Sequence, residues 1–327
     1  MSTIVRQPVF HPVSVVFLDD SPDFLYALRG LFPGAGTDRY FTHASEALGY
    51  VRSHEPRQRV HNPTSGEAWS EFEKKGGNAL GQDVMTDTAR FNDIAAIVVD
   101  YEMPEMNGIE FLTAVKDVAC ARILLTATAN ESHAVDAFNA GLIDFYVKKS
   151  DPEMPRKLSG AIADAKRKFC ARRGHIGVHD VGAIYANRHV AEALHEVVQR
   201  ERIVEYYWRP EQNAVLTFDA EGSAGVFLAW DSHDWAAQCD VVTDEGGPAA
   251  LREEMAARRI MPVYWPNEAY RPGMSRVEFA TPEPVPGLDD TFTSWTRIGD
   301  AGLPSGLVTF AAWRSTQDTN AMRDGIA

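Results

Sequence analysis

Four segments in the first half are short apolar runs that end on a polar residue. They are VSVVFLD (13–19), DIAAIVVD (93–100), ARILLT (121–126) and LIDFYVK (142–148). Val/Ile/Leu-rich runs of this length read as strands covered on both faces, as in a parallel sheet flanked by helices. Helical text separates them across 12–171, which predicts an α/β domain. Ser21-Pro22 marks a helix start, an N-cap followed by proline at the first helical position. Asn130 and Gly141 bracket ESHAVDAFNA as start and stop, and Asp151-Pro152 opens a helix to about Ala171. In that helix Leu158, Ile162, Ala165 and Phe169 share one face, which predicts packing against the sheet. Residues 54–90 break the rhythm. They are polar, with Pro, Gly and mixed charge, and read as a surface insertion, or as a partner-binding arm around Trp69 and Phe72.

The second half is patterned differently. A helix at about 187–202 precedes three strand-like runs, IVEYYW (203–208), AVLTFDA (214–220) and AGVFLAW (224–230), with EGS (221–223) as a hairpin turn. Helical text returns at 232–240 and 247–259, then a strand at 260–265. Further strand candidates lie at 275–281, 291–298 and 306–313. This order predicts a second α/β or α+β domain with a mixed or antiparallel sheet over 172–327, with RRG (172–174) at the boundary. Trp208, Trp230, Trp235 and Trp265 are expected in its core, where large apolar area has most effect.

Bulk properties narrow the function classes. At 327 residues, two domains are the default. No apolar run approaches the roughly 18 residues that span a bilayer, and MSTIVRQPVFHP has no signal-peptide core. Cys120, Cys170 and Cys239 form neither a disulfide framework nor a metal spacing, so a reducing cytoplasm is the expected compartment. The net charge is −14, and the stretch 171–327 holds 14 arginines and no lysine against 23 acidic residues. That balance argues against a role in binding a phosphate backbone.

In an open parallel sheet, ligands bind at the carboxyl ends of the strands. Here those ends carry Asp19 and Asp20, Asp100, Thr126 and Lys148. Three carboxylates in one pocket repel one another unless a cation neutralises them, and Mg²⁺ prefers such oxygen ligands. A carboxylate can also take up a phosphoryl group covalently. Asp100 ends the central run ahead of a tight YEMPEMNG loop and is the best nucleophile. Lys148 can pair with phosphoryl oxygens and Thr126 can donate a hydrogen bond. Each residue alone is ordinary at a strand end, and the joint occurrence is what points to phosphoryl transfer.

FLDDSPDF, VVDYEMPEMNGIEF, ILLTATA and FYVKKSDP resemble the receiver domain of two-component response regulators over about 12–171, the insertion apart. The resemblance implies a flavodoxin-like (βα)5 fold and phosphotransfer from a histidine kinase or phosphotransfer protein. It implies Asp100 as acceptor, with Mg²⁺ held by Asp19, Asp20, Asp100 and the main-chain carbonyl of Glu102. Thr126 and Lys148 would read out the phosphoryl group. Phe145 would be the aromatic switch residue, and Glu102 and Thr128 would tune dephosphorylation. Lys149 stands where the family usually has proline.

No catalytic motif emerges in the second half. HIGVHD (His175, His179, Asp180) sits in a Gly-containing linker, and His189 and His195 fall on a helix. The helix–strand–strand–strand–helix–strand order is that of PD-(D/E)-x-K nucleases, but those sites need a lysine and none follows Lys168. Asp219 and Asp231 remain as strand-end acids. Together with GLIDFYVKKSDP, the runs EYYW, VLTFDAEG, VFLAW and RRIMPVYWP are similar to a Legionella type of quorum-sensing response regulator with a nuclease-like, catalytically empty output. That resemblance implies an output that binds a partner protein rather than performing catalysis. A second copy of the chain is a further expected partner. The alternatives are a metal-dependent nuclease or phosphodiesterase output, and a DNA-binding regulator.

Overall fold

The protein is described here by a computed structural model covering residues 5–32, 36–58, 82–126, 131–173, 176–177, 182–274 and 277–323. Trp69, Phe72, Thr128, Asn130, His175, His179 and Asp180 lie outside the described residues. The chain forms two compact units. One holds Pro12–Asn62 and Ala89–Arg172; the other holds Met1–His11, Pro63–Thr88 and Arg173–Ala327. Among the described residues no helix is long and apolar enough to cross a membrane.

The first unit is a five-stranded parallel sheet. Its strands are β1 (Ser14–Leu18), β2 (Arg39–Phe41), β3 (Ile94–Asp100), β4 (Ala121–Thr126) and β5 (Phe145–Lys148). They lie in the order β2-β1-β3-β4-β5. Every residue of β1 and β3 is buried, which explains their unbroken apolar text. The helices are α1 (Pro22–Leu31), α2 (Ala44–Gln58), α3 (Gly108–Ala114), α4 (Glu131–Asn139) and α5 (Met154–Arg173). One face of the sheet packs Val16, Leu18, Ile97 and Val99 with α2, α3 and α4; the other packs Val15, Phe17, Ala96 and Val98 with α1 and α5. Leu158, Ile162 and Ala165 of α5 join that second cluster, as their spacing predicts. The Ser21 hydroxyl accepts the Phe24 N–H at 3.3 Å, and Gly141 at φ +66° turns the chain out of α4.

The second unit is built on a six-stranded antiparallel sheet. After α6 (Arg188–Arg200) come β6 (Ile203–Arg209), β7 (Ala214–Asp219) and β8 (Ala224–Trp230), then α7 (Ser232–Asp244) and α8 (Ala249–Ala256). The short pair β9 (Met261–Val263) and β10 (Glu278–Ala280) follows, then β11 (Glu283–Pro284), β12 (Phe292–Arg297) and α9 (Phe310–Arg323). The main sheet runs β11-β12-β8-β7-β6 and is completed at its edge by Val9–Phe10 from the N-terminus. Alternate residues face opposite layers. Leu216, Val226, Leu228 and Trp230 pack with Trp235, Val242 and Met255, whereas Trp208, Val215 and Phe227 pack with Val190, Leu194 and Val197 of α6. Trp208, Trp230 and Trp235 are thus core residues, while Trp265 is only half-buried.

Two stretches differ from the sequence reading. Residues 54–58 of the expected surface insertion continue α2, and its Met85 is buried in the core of the second unit. The run 306–313 is not a strand, because α9 begins at Phe310. Thr309 Oγ1 accepts the Ala312 N–H at 3.2 Å, and the buried Glu205 carboxylate accepts the Phe310 N–H at 2.6 Å. These partners satisfy the helix's first free donors, and Phe310 and Trp313 stack on one side with centroids 5.7 Å apart.

Candidate functional site

Asp19 and Asp20 follow β1, and Asp100 closes β3, its neighbour in the sheet. This is where the strand order reverses direction, the crevice at which an open α/β sheet takes its ligand. Asp19 is 1% exposed and Asp100 4%, while Asp20 faces solvent. Asp19 is oriented by the Ser21 N–H, which donates to Oδ1 at 3.0 Å. One carboxylate oxygen from each of Asp19, Asp20 and Asp100 lies within 4.8 Å of the others.

The loop after Asp100 is pinned close to it. Gly108 donates its N–H to the Tyr101 carbonyl at 3.0 Å, and an added Cβ there would run into the Asp100 carbonyl oxygen. Asn107 and Glu110 form a capping box at the start of α3, with both bonds at 2.9 Å. Asp100 is therefore presented by a strand end backed by a helix start. The Tyr101 hydroxyl lies 2.9 Å from His133 Nδ1, linking the residue after Asp100 to α4.

Lys149 brings an ammonium into this pocket. Its Nζ lies 2.6 Å from Asp19 Oδ2 and 3.0 Å from Asp100 Oδ1, and 4.5 Å from the centroid of the Phe24 ring. Lys148, the residue singled out from the sequence, ends β5 in register with Thr126. The Lys149 N–H donates to the Thr126 carbonyl at 2.7 Å, so its side chain leaves the sheet one residue past the strand and crosses to the β1 and β3 ends. The absent proline after Lys148 was the only sequence signal of this arrangement. Thr126 is buried at the end of β4. Glu102 is exposed in the loop, and Phe145 points outward, 36% exposed, rather than into the core.

Burial raises the Asp100 carboxyl above the usual range, with Lys149 opposing and Asp19 adding to the rise. Burial pulls the Lys149 ammonium down, but Asp19 and Asp100 outweigh it and leave it raised. The pocket is thus a charge cluster with more negative than positive groups. Asp19 Oδ2 and Asp100 Oδ1 are buried and face the same ammonium. An all-oxygen donor set of this kind fits a hard divalent cation such as Mg²⁺.

The strand-end acids of the second unit serve structure. Asp219 Oδ1 accepts the Ser223 and Glu221 N–H groups at 2.8 and 3.1 Å, and Arg297 binds Oδ2 at 2.9 Å. Asp231 caps α7, accepting the His233 and Asp234 N–H groups at 2.8 and 2.9 Å. His195 is exposed, and His189 lies 3.6 Å from Glu192 on the same helix.

Residues 78–158 match the family model of the response regulator receiver domain. The first unit has the fold of a receiver domain. The structure of the Legionella pneumophila response regulator LqsR aligns with a TM-score of 0.70 at 22% identity, covering 96% of this chain and 97% of that one. At this identity the likeness establishes the fold, and it extends across both units. A response regulator receiver domain protein from Clostridium thermocellum aligns at TM-score 0.31 and 19% identity, covering 48% of this chain and 95% of that one. The receiver domain of an HD domain-containing protein from Pseudomonas fluorescens Pf-5 aligns at 0.34 and 18%, covering 49% and 97%. No curated protein sequence matches the chain.

Proposed function

We propose that the protein is a two-component response regulator whose receiver takes a phosphoryl group on Asp100, and whose second unit acts by binding a partner protein. The observation that carries the first part is the cluster of Asp19, Asp20 and Asp100 at the sheet's reversal point, with the Lys149 ammonium against Asp19 and Asp100. A carboxylate oxygen of Asp100 attacks the phosphorus in line. The new P–O bond forms as the P–N bond to the kinase or phosphotransfer histidine breaks, and that nitrogen keeps the electron pair. Lys149 lies against Asp100 Oδ1, where its ammonium would neutralise negative charge on the incoming phosphoryl oxygens. Thr126 ends the adjacent strand β4, and in this reading its hydroxyl would donate to a phosphoryl oxygen. Mg²⁺, when bound by Asp19, Asp20 and Asp100, supplies charge neutralisation for the transferring group. The quorum-sensing context implied by the sequence resemblance belongs to this same reading, as does a cytoplasmic location.

Acetyl phosphate with Mg²⁺ tests the assignment. The wild type is expected to take up one phosphoryl group per chain and Asp100→Asn none; uptake by the variant at the wild-type level overturns it.

The binding role of the second unit rests on Asp219 and Asp231 being committed to a turn and a helix cap. Nuclease and phosphodiesterase assays on the full chain are expected to show no metal-dependent turnover with or without acetyl phosphate. Turnover that disappears in Asp219→Ala would reinstate an enzymatic output.

A further inference from the structure

The helix α4 holds on to the first unit through little apolar surface. Among its described side chains Ala134 and Ala137 are buried, while Val135 and Phe138 are 43% and 53% exposed. Each buried residue contributes only one methyl group to the core. By contrast, α1 buries Leu25 and Leu28, and α3 buries Phe111 and Leu112. An element with few buried apolar contacts opens at low cost, so a single polar bond weighs heavily in its position. That bond is present. The Tyr101 hydroxyl lies 2.9 Å from His133 Nδ1 in the first turn of α4, with the two rings stacked at 15° and their centroids 6.1 Å apart. Among the described residues it is the one side-chain hydrogen bond between α4 and another element.

The other end of the bond is fixed. The Tyr101 N–H donates to the Leu125 carbonyl at 2.8 Å, and the Tyr101 carbonyl accepts the Gly108 N–H at 3.0 Å. In the same loop Glu105 Oε2 accepts the Ser45 N–H, in the first turn of α2, at 3.1 Å. The loop after Asp100 is thus tied to β4, α3 and α2 by separate bonds, whereas its hydroxyl contact with His133 is all that ties it to the side chains of α4. Residues 127–130 join Thr126 to α4, so a displacement at the end of β4 reaches the first turn of α4 over a short connection.

We propose that the Tyr101–His133 bond is a latch that holds α4 in place while Asp100 is unphosphorylated, and that it opens when Thr126 is drawn toward a phosphoryl group on Asp100. The latch is a regulation of the acceptor site and rests on the reading of Asp100 as the acceptor. His133 is a positioning residue in this scheme, because it acts on the site only through Tyr101 and α4. A bond present in one state alone biases the equilibrium toward that state, so the latch lowers the affinity of the pocket for a phosphoryl group.

Hydrogen exchange of the α4 amides in the full chain, with and without beryllofluoride and Mg²⁺ as a phosphoryl analogue, tests this. Tyr101→Phe keeps the ring and its stacking and removes only the hydroxyl. Without the analogue, Tyr101→Phe and His133→Leu are each expected to exchange about threefold faster in α4 than the wild type. The double variant is expected to be no faster than either, because both changes break one bond. His133→Asn, which keeps a hydrogen-bonding atom where Nδ1 stands, is expected to restore wild-type exchange. With the analogue, wild-type α4 is expected to reach the exchange of Tyr101→Phe, and Tyr101→Phe to half-saturate at about threefold less beryllofluoride. Wild-type exchange in Tyr101→Phe, additive effects in the double variant, or unchanged or weaker beryllofluoride binding by Tyr101→Phe each overturn the latch and leave Asp100 as the acceptor. Binding of the analogue by Asp100→Asn at wild-type affinity overturns the acceptor reading, and with it the coupling of the latch to phosphorylation.

Discussion

Lys149 shows how much one residue's position matters in a crowded acidic pocket. Its ammonium touches Asp19 and Asp100, the two buried carboxylates that a divalent cation would also use. The side chain therefore has two opposed effects: it competes with a metal for those oxygens, and it neutralises charge beside Asp100. Lys149→Ala is accordingly expected to bind Mg²⁺ more tightly, by calorimetry, yet to take up phosphate from acetyl phosphate about tenfold more slowly. Lys148→Ala is expected to change both quantities less. The reverse ranking would return the readout role to Lys148. Asp19 and Asp100 were legible as site residues because each ends an apolar run. The approach of Lys149 to both was not, because it depends on a side chain from β5's end reaching the β1 and β3 ends.

At the scale of elements, the buried strands were the most legible and the last helix the least. β1 and β3 are covered on both faces, so burial writes itself into the sequence as continuous apolar text. The run 306–313 has β-branched and aromatic residues, and local preference suggests a strand. Its helical state is stabilised from elsewhere by Glu205, a buried residue of β6. Glu205 accepts both the Phe310 N–H at 2.6 Å and the Tyr207 hydroxyl at 2.7 Å. Glu205→Ala leaves two donors buried without this acceptor. It is expected to destabilise the second unit by about 3 kcal/mol, measured as a shift in its denaturant-unfolding midpoint. A change below a few tenths of a kcal/mol would mean that the carboxylate does not hold the helix start.

At the scale of the whole molecule, the N-terminus belongs with the half of the chain furthest from it in sequence. Val9–Phe10 is the edge strand beside β6, and the Trp208 N–H donates to the Pro8 carbonyl at 2.9 Å. Gln7, Val9 and His11 are buried. Removing residues 1–11 is therefore expected to destabilise the second unit while leaving the receiver's unfolding unchanged. The tryptophans from Trp208 onward report on that unit by fluorescence, and phosphate uptake at Asp100 reports on the receiver. Loss of uptake with unchanged tryptophan unfolding would contradict this account.

What the chain settles by itself is local and periodic. The apolar runs specify the parallel sheet, the polar residues closing them mark Asp19, Asp20, Asp100 and Thr126, and the scarcity of basic residues after Lys168 sets the acidic character of the second half. The tertiary structure decided what depends on residues far apart in sequence. It brought Lys149 against Asp19 and Asp100, joined the N-terminal strand to β6, and made a helix of the run after Thr309. Periodicity records which face of an element is buried, but it carries no information about which distant group lies opposite.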